Sequence, residues 1–236
     1  MDMDDVVEVV AYGNFACFTR SESKIDRVTY DAPTPSACRG ILAAIYCEPK
    51  EFWYEIIEID VLKPIRRMSM VRNEVKKKTP ARNVASMNVD AERTQRNTTY
   101  LTDVAYRIVA RIHPRETYRP DHTREDNVRK LKGEFERRVR LGKCFWQPYL
   151  GLRECLAFFR PPTGDDVPID ESAEFGTTLY DVFDPKNCVP LNTDSKATET
   201  CRPVATYFDS KMVDGRIRVP SRYEIMKRAG IEQGGD

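Results

Sequence analysis

An α+β fold, ferredoxin-like (RRM-like) with an appended small antiparallel β domain, is predicted by three features of the 236-residue sequence. Strand-like patterns recur at 6–12, 57–61, 104–113 and 152–159. Two capped amphipathic helices fall between them, and a Pro/Gly-rich break at 161–168 precedes a second set of strand patterns. The order is β-α-β-β-α-β, which leaves one sheet face without helices. Residues 1–160 are thus expected to form the main domain and residues 161–236 a smaller β-rich one.

Val6 to Tyr12 is rich in β-branched residues, and Gly13 with Asn14 predicts a turn before the strand resumes through Phe15 to Phe18. Thr34 caps the first helix, Pro35 stands where no backbone N–H is required, and Ala37, Ile41, Ala44 and Ile45 form its buried stripe. Pro49 marks its end. Ile57, Ile59 and Val61 alternate with Glu58 and Asp60, as one buried and one wet face require. The segment to Arg96 has no clear period and reads as a long loop or a twisted hairpin. In the third strand Val104, Tyr106, Ile108, Ala110 and Ile112 face one way, and Arg107, Val109, Arg111 and His113 form a basic face on the other. Thr123 caps the second helix, Val128, Leu131, Phe135 and Val139 point inward, and Gly142 stops it. Leu152 to Phe159 is the fourth strand; Phe175–Phe183, Val204–Phe208 and Arg216–Val219 are the strands of the appendage.

Hydrophobic residues make up 41% of the chain, enough for a substantial core. No apolar run reaches membrane-spanning length, and the acidic start Met1 to Asp5 is unlike a signal peptide, so a cytoplasmic location and no membrane partner are expected. The seven cysteines are odd in number and lack a C-x-x-C pair, which predicts reduced core thiols. Phosphate-loop, zinc-protease and nucleophile-elbow motifs are absent, and no metal or cofactor is expected.

The net charge of +1 conceals strong polarity. Between residues 63 and 82 eight basic residues, including Arg67, Arg72, Lys76 and Lys77, face one acid, Glu74. Between 165 and 199 nine acids face Lys186 and Lys196. Lysine and arginine in the first segment would displace counterions from a nucleic-acid backbone, RNA or duplex DNA alike, unless the segment is a solvated charged loop.

Five segments occur in a telling order: Gly13 to Arg20; Arg27 to Asp31 with Pro33 to Ala37; Arg39 to Leu42 leading to Ala44-Ile45-Tyr46; Arg72 to Val75; and Gln147 to Cys155. In these the chain resembles the CRISPR-associated proteins of Cas family five, d (type I-C) branch, over about residues 6 to 160. The resemblance implies a modified RRM-like domain of the repeat-associated mysterious protein superfamily, with a glycine-containing loop at Gly142 to Gly151. It implies an endoribonuclease that cuts precursor CRISPR RNA by attack of a 2′-hydroxyl on the adjacent phosphate, without metal, and keeps the 5′ handle. The implied partners are the CRISPR repeat RNA hairpin and the backbone and large subunits of a type I-C surveillance complex. A non-catalytic RNA-capping subunit and a general duplex-DNA-binding protein are the alternatives.

Such chemistry needs a proton acceptor, a proton donor and fixed positive charge. By resemblance Tyr46, at the end of the first helix, is the catalytic tyrosine; packing in the groove between helix and sheet is its other reading. Arg39 lies seven residues earlier on the same helical face, within reach of one phosphate. The family's other catalytic elements are a lysine and a histidine near the third strand. Here Arg111 stands at the histidine's position, no lysine accompanies it, and His113 lies two residues on and on the same strand face, so the alignment is off by two or the histidine is displaced. His113 then serves from a displaced position, or is an exposed strand-end residue without chemistry. Lys50 adds charge beyond Tyr46. Arg20 and Arg27 beside the first strand are further expected RNA contacts, as are Lys143, Phe145 and Trp146 in the glycine-containing loop, whose rings either stack on bases or pack into the core.

Overall fold

The computed structural model describes residues 5–23, 25–76, 90, 92–184, 189–190 and 203–231. In chain order the elements are β1 (Val6–Ala16), α1 (Pro35–Ile45), β2 (Phe52–Val61), β3 (Arg67–Val75), β4 (Arg93–Pro114), α2 (Arg124–Arg140), β5 (Phe158–Arg160), β6 (Ala173–Asp184), β7 (Val189–Pro190), β8 (Val204–Val213), β9 (Arg216–Arg218) and α3 (Arg222–Arg228). The strands form one antiparallel sheet in the order β5-β1-β4-β2-β9-β8-β6-β7, with β3 paired to the outer half of β4. β9 pairs with β2, so the strands after residue 161 continue the sheet begun by the first four.

Both long helices cover one face. Thr34 accepts the Ala37 N–H and Thr123 the Asp126 N–H, so each helix starts where its hydroxyl cap predicts. Ile41, Leu42 and Ile45 of α1 and Leu131, Phe135 and Val139 of α2 are buried in the same core as Ile108, Ala110 and Ile112 of β4. Gly142 (φ 63°) ends α2 in the left-handed region that glycine enters without Cβ strain.

Several elements differ from the sequence reading. β1 runs unbroken past Gly13 and Asn14, because Gly13 is there for proximity: a Cβ would meet the Leu156 carbonyl oxygen at 2.6 Å. Asp60 keeps the face opposite Ile59 but is fully buried instead of wet, between β4 and β9, where the Arg107 guanidinium takes its carboxylate; a bulge after Ile56 leaves Ile57, read as inward, only half-buried. The fourth strand shortens to Phe158–Arg160, since residues 142–157 close against β1 through Cys17 N–H to the Leu150 carbonyl (3.0 Å). The aperiodic basic segment is the β3–β4 hairpin, whose residues 77–89 lie outside the described part. α3, capped by Ser221 and Glu224 in a reciprocal box, has no counterpart in the sequence reading.

Of the thiols, Cys17, Cys38 and Cys155 are buried and Cys47 and Cys144 half-buried, all unbridged; Cys188 and Cys201 lie outside the described residues. Among the described residues no helix is long and apolar enough to cross a membrane.

Candidate functional site

Tyr46 closes α1. Its backbone turns extended (φ −146°, ψ 117°), and its N–H still donates to the Leu42 carbonyl. The carbonyl groups left open at this helix end are taken up from three directions. Phe145 N–H donates to Ala44 O (2.8 Å), Arg138 reaches Ile45 O (3.4 Å), and the Tyr54 hydroxyl donates to Tyr46 O (2.9 Å). The glycine-containing loop, α2 and β2 thus converge on one point.

Tyr46 is only 8% exposed, its ring lying 5.0 Å from Phe52 and 6.3 Å from Phe145, with the Arg138 guanidinium 5.1 Å above it. Its hydroxyl has no hydrogen-bond acceptor among the described residues. Burial, reinforced by the carboxylates of Glu51, Glu134 and Glu48, pushes the phenol up to about 12, so at neutral pH it keeps its proton and can donate it. Lys50 and Lys143 stand exposed on the two loops bordering this end of the sheet. Arg115 binds the 49–51 loop through Nε to Pro49 O and N–H to Glu51 O, each 2.7 Å.

Arg111 and His113 are together as expected, but not with Tyr46. In the β2–β4 register Trp53 opposes His113 and Glu55 opposes Arg111, whereas Tyr54 opposes Ile112 and packs on Phe135 of α2. Strand alternation therefore sets His113 and Arg111 on the face opposite the one covered by α1 and the buried stripe of α2, with the sheet between them and Tyr46. His113 stacks flat on Trp53 (4.1 Å, 9°) and its Nε2 is 2.8 Å from Glu55 Oε2; Arg124 approaches Nδ1 at 3.4 Å, which places the imidazole proton on Nε2. Burial alone would raise the Glu55 carboxyl, but bonds from His113 and the Arg222 N–H bring it below its ordinary value. Arg111 binds Asp5 (2.9 Å). The basic face read from sequence is thus internally neutralised, with Arg107 paired to Asp60.

Arg39 does not turn toward Tyr46 either. Its Nε and one terminal nitrogen grip Asp181 of β6 at 2.8 and 3.1 Å, joined by Ser36, so it fastens α1 to the later strands. At the base of the β3–β4 hairpin Arg67 pairs with Asp31, Arg72 with Glu154, and Arg27 with Glu74 (3.5 Å) and Glu154 (3.8 Å). Arg20 lies 4.8 Å over the Tyr30 ring. Lys76 is exposed where the described part of β3 ends, and Lys77 falls outside the described residues. Trp146 is 47% exposed on a groove of about 990 Å³ between α1, the glycine-containing loop and Leu179.

Arg138 is the member that sequence reasoning misses. Leu131, Phe135 and Val139 form the inward stripe of α2, yet Arg138 lies seven residues after Leu131 and so on the stripe itself. A charge at an inward helical position is the available signal.

The family profile of Cas5d, a CRISPR-associated protein, matches residues 6–220. A Thermus thermophilus protein named CRISPR pre-crRNA endoribonuclease Cas5d is 34% identical over 233 residues, covering 97% of this chain and 96% of its own length. A Mannheimia succiniciproducens protein of the same name is 37% identical over 198 residues, 76% of this chain and 86% of its own length. The fold is similar to a crystal structure of a CRISPR-associated protein (TM-score 0.63, 22% identity, 93% of this chain and 94% of that one) and to a functionally uncharacterized Streptococcus mutans protein (TM-score 0.62, 19% identity, the same coverage).

Proposed function

The chain belongs to the Cas5d family of CRISPR-associated proteins, and from that membership we propose that it cuts precursor CRISPR RNA within the repeat and then holds the 5′ handle. The observation that carries the chemistry is the Tyr46 phenol, protonated, without an acceptor of its own, and fixed where α1, α2 and the glycine-containing loop meet. The 2′-oxygen forms a bond to phosphorus and its proton passes to solvent; the bond to the 5′ oxygen breaks, and that oxygen takes the proton of Tyr46. Water then reprotonates the tyrosinate. The products are a 2′,3′-cyclic phosphate and a 5′-hydroxyl, and no metal enters the balance.

Lys50 and Lys143 offer charge to the RNA backbone beside this point, and the groove lined by Phe145, Trp146 and Tyr149 gives unpaired bases aromatic faces to stack on. Hairpin arginines, with Lys76, extend the contact. The strand order β5-β1-β4-β2, with α1 and α2 on one face, supports reading residues 1–160 as a ferredoxin-like domain and the remainder as its β-rich appendage. Backbone and large subunits of a type I-C surveillance complex are the proposed protein partners.

Arg111 and His113 take no catalytic part in this reading. Their separation from Tyr46 also favours one second reading, an RNA-holding subunit without chemistry. Incubating the protein with a repeat hairpin in EDTA separates the two: the expected result is a single cut that a 2′-deoxy substitution at that position abolishes. An intact hairpin, bound but uncut, would leave only the holding role. Equal competition by random duplex DNA would remove RNA selectivity.

A further inference from the structure

We infer that Arg138 is the cation of the cutting centre, binding the non-bridging oxygens of the scissile phosphate beside Tyr46; this rests on the reading of Tyr46 given above. The guanidinium lies 5.1 Å over the Tyr46 ring and 4.3 Å over the Phe145 ring. Nε donates to Glu134 Oε1 at 2.9 Å and one terminal nitrogen to Ile45 O at 3.4 Å. A guanidinium carries five N–H donors, so these two bonds leave three for an anion. Its side chain retains 19% exposure, enough for an oxygen to approach without the whole group being solvated.

The surroundings explain why an arginine stands here. Two aromatic faces and the carbonyl end of α1 each favour a cation, and α1 has no basic residue in its own last turn. Glu134 holds the planar fork by one edge, as a second carboxylate contact to Arg137 holds Glu134. The charge is therefore set before RNA arrives, which is where electrostatic stabilisation of a transition state is most effective. Lys50 and Lys143, both exposed, have no such restraint among the described residues. A lysine at 138 would keep the charge but lose the fork.

The test uses a repeat RNA whose cleaved phosphate carries sulfur in place of one non-bridging oxygen, each diastereomer separately, in single-turnover cleavage. Wild type is expected to cut the two at unequal rates. Arg138→Lys should cut the all-oxygen RNA about 10²-fold more slowly, with RNA affinity unchanged, and should treat the two diastereomers alike. Retention of the wild-type rate and sulfur discrimination by Arg138→Lys overturns the inference while leaving the role of Tyr46 intact. If Tyr46→Phe cuts as wild type does, the parent reading fails, and this one with it. Should Arg138→Lys fail to fold by thermal melting, Glu134→Gln, which releases one edge of the fork, is read in its place: reduced sulfur discrimination supports the assignment and an unchanged ratio refutes it.

Discussion

Replacing Tyr46 by phenylalanine is expected to slow single-turnover cleavage of a repeat hairpin by about 10²-fold or more while the RNA stays bound. The ring contacts with Phe52, Phe145 and Arg138 survive the substitution, since only the hydroxyl is removed. Folding and affinity are therefore separated from proton donation. The pH dependence carries the same information. With the phenol raised to about 12, Tyr46 remains protonated across the range in which the RNA is stable, so the rate should not fall through loss of the donor between about pH 7 and 9. A wild-type rate in Tyr46→Phe would assign the donor elsewhere.

The second large effect concerns stability. Arg107→Ala is expected to cost about 3–5 kcal/mol in urea unfolding, because it strands the Asp60 carboxylate in the sheet. Asp60 is fully buried; its Oδ1 already has no hydrogen-bond partner, and Arg216, at 4.0 Å, is too distant and too exposed to take over from Arg107. Converting Asp60 to Leu and Arg107 to Met together should recover most of the loss, since a buried pair is weak support in itself and a buried single charge is the actual liability. A loss below about 1 kcal/mol in the single variant would mean that water reaches Asp60.

The same residue shows where sequence reasoning stops. Alternation places Ile59 and Val61 inward correctly, and capping hydroxyls locate α1 and α2 at Thr34 and Thr123. Those are local effects, decided within a few residues. Strict alternation gives Asp60 its correct face, opposite Ile59, but sends it to water because the partner Arg107 lies 47 residues away; it turns Ile57 inward because it cannot register the bulge after Ile56. Arg39 fails in the same manner. Helical spacing puts it near Tyr46, but its rotamer is decided by Asp181, 142 residues later, on a strand whose docking no local pattern reports. For the candidate site, the tyrosine and the glycine-containing loop are both reached by resemblance. Arg138 escapes notice because a charged residue on a charged helix looks ordinary until the helix is packed.

Sheet geometry also accounts for the reassignment of Arg111 and His113. Their shared face is legible from strand alternation, and so is the buried face of β4. What alternation cannot supply is the side of the sheet on which α1 ends. That depends on Tyr54 and Phe135 meeting under the Tyr46 carbonyl. His113 instead completes a stack in which Trp53 lies against its ring and the Arg222 guanidinium sits 4.5 Å from Trp53, so it helps seat α3 on β2.

A cutting centre built on Tyr46 requires the cleaved phosphate to lie on the helix side of the sheet, and photochemical crosslinking reads that location without relying on rates. A repeat RNA carrying a photoreactive nucleotide at the cut position, bound to the wild-type protein and irradiated, should attach to peptides spanning 46–51 and 138–146. Attachment instead to peptides spanning 53–55 and 107–113 would put the phosphate on the far face, against His113, and contradict the assignment.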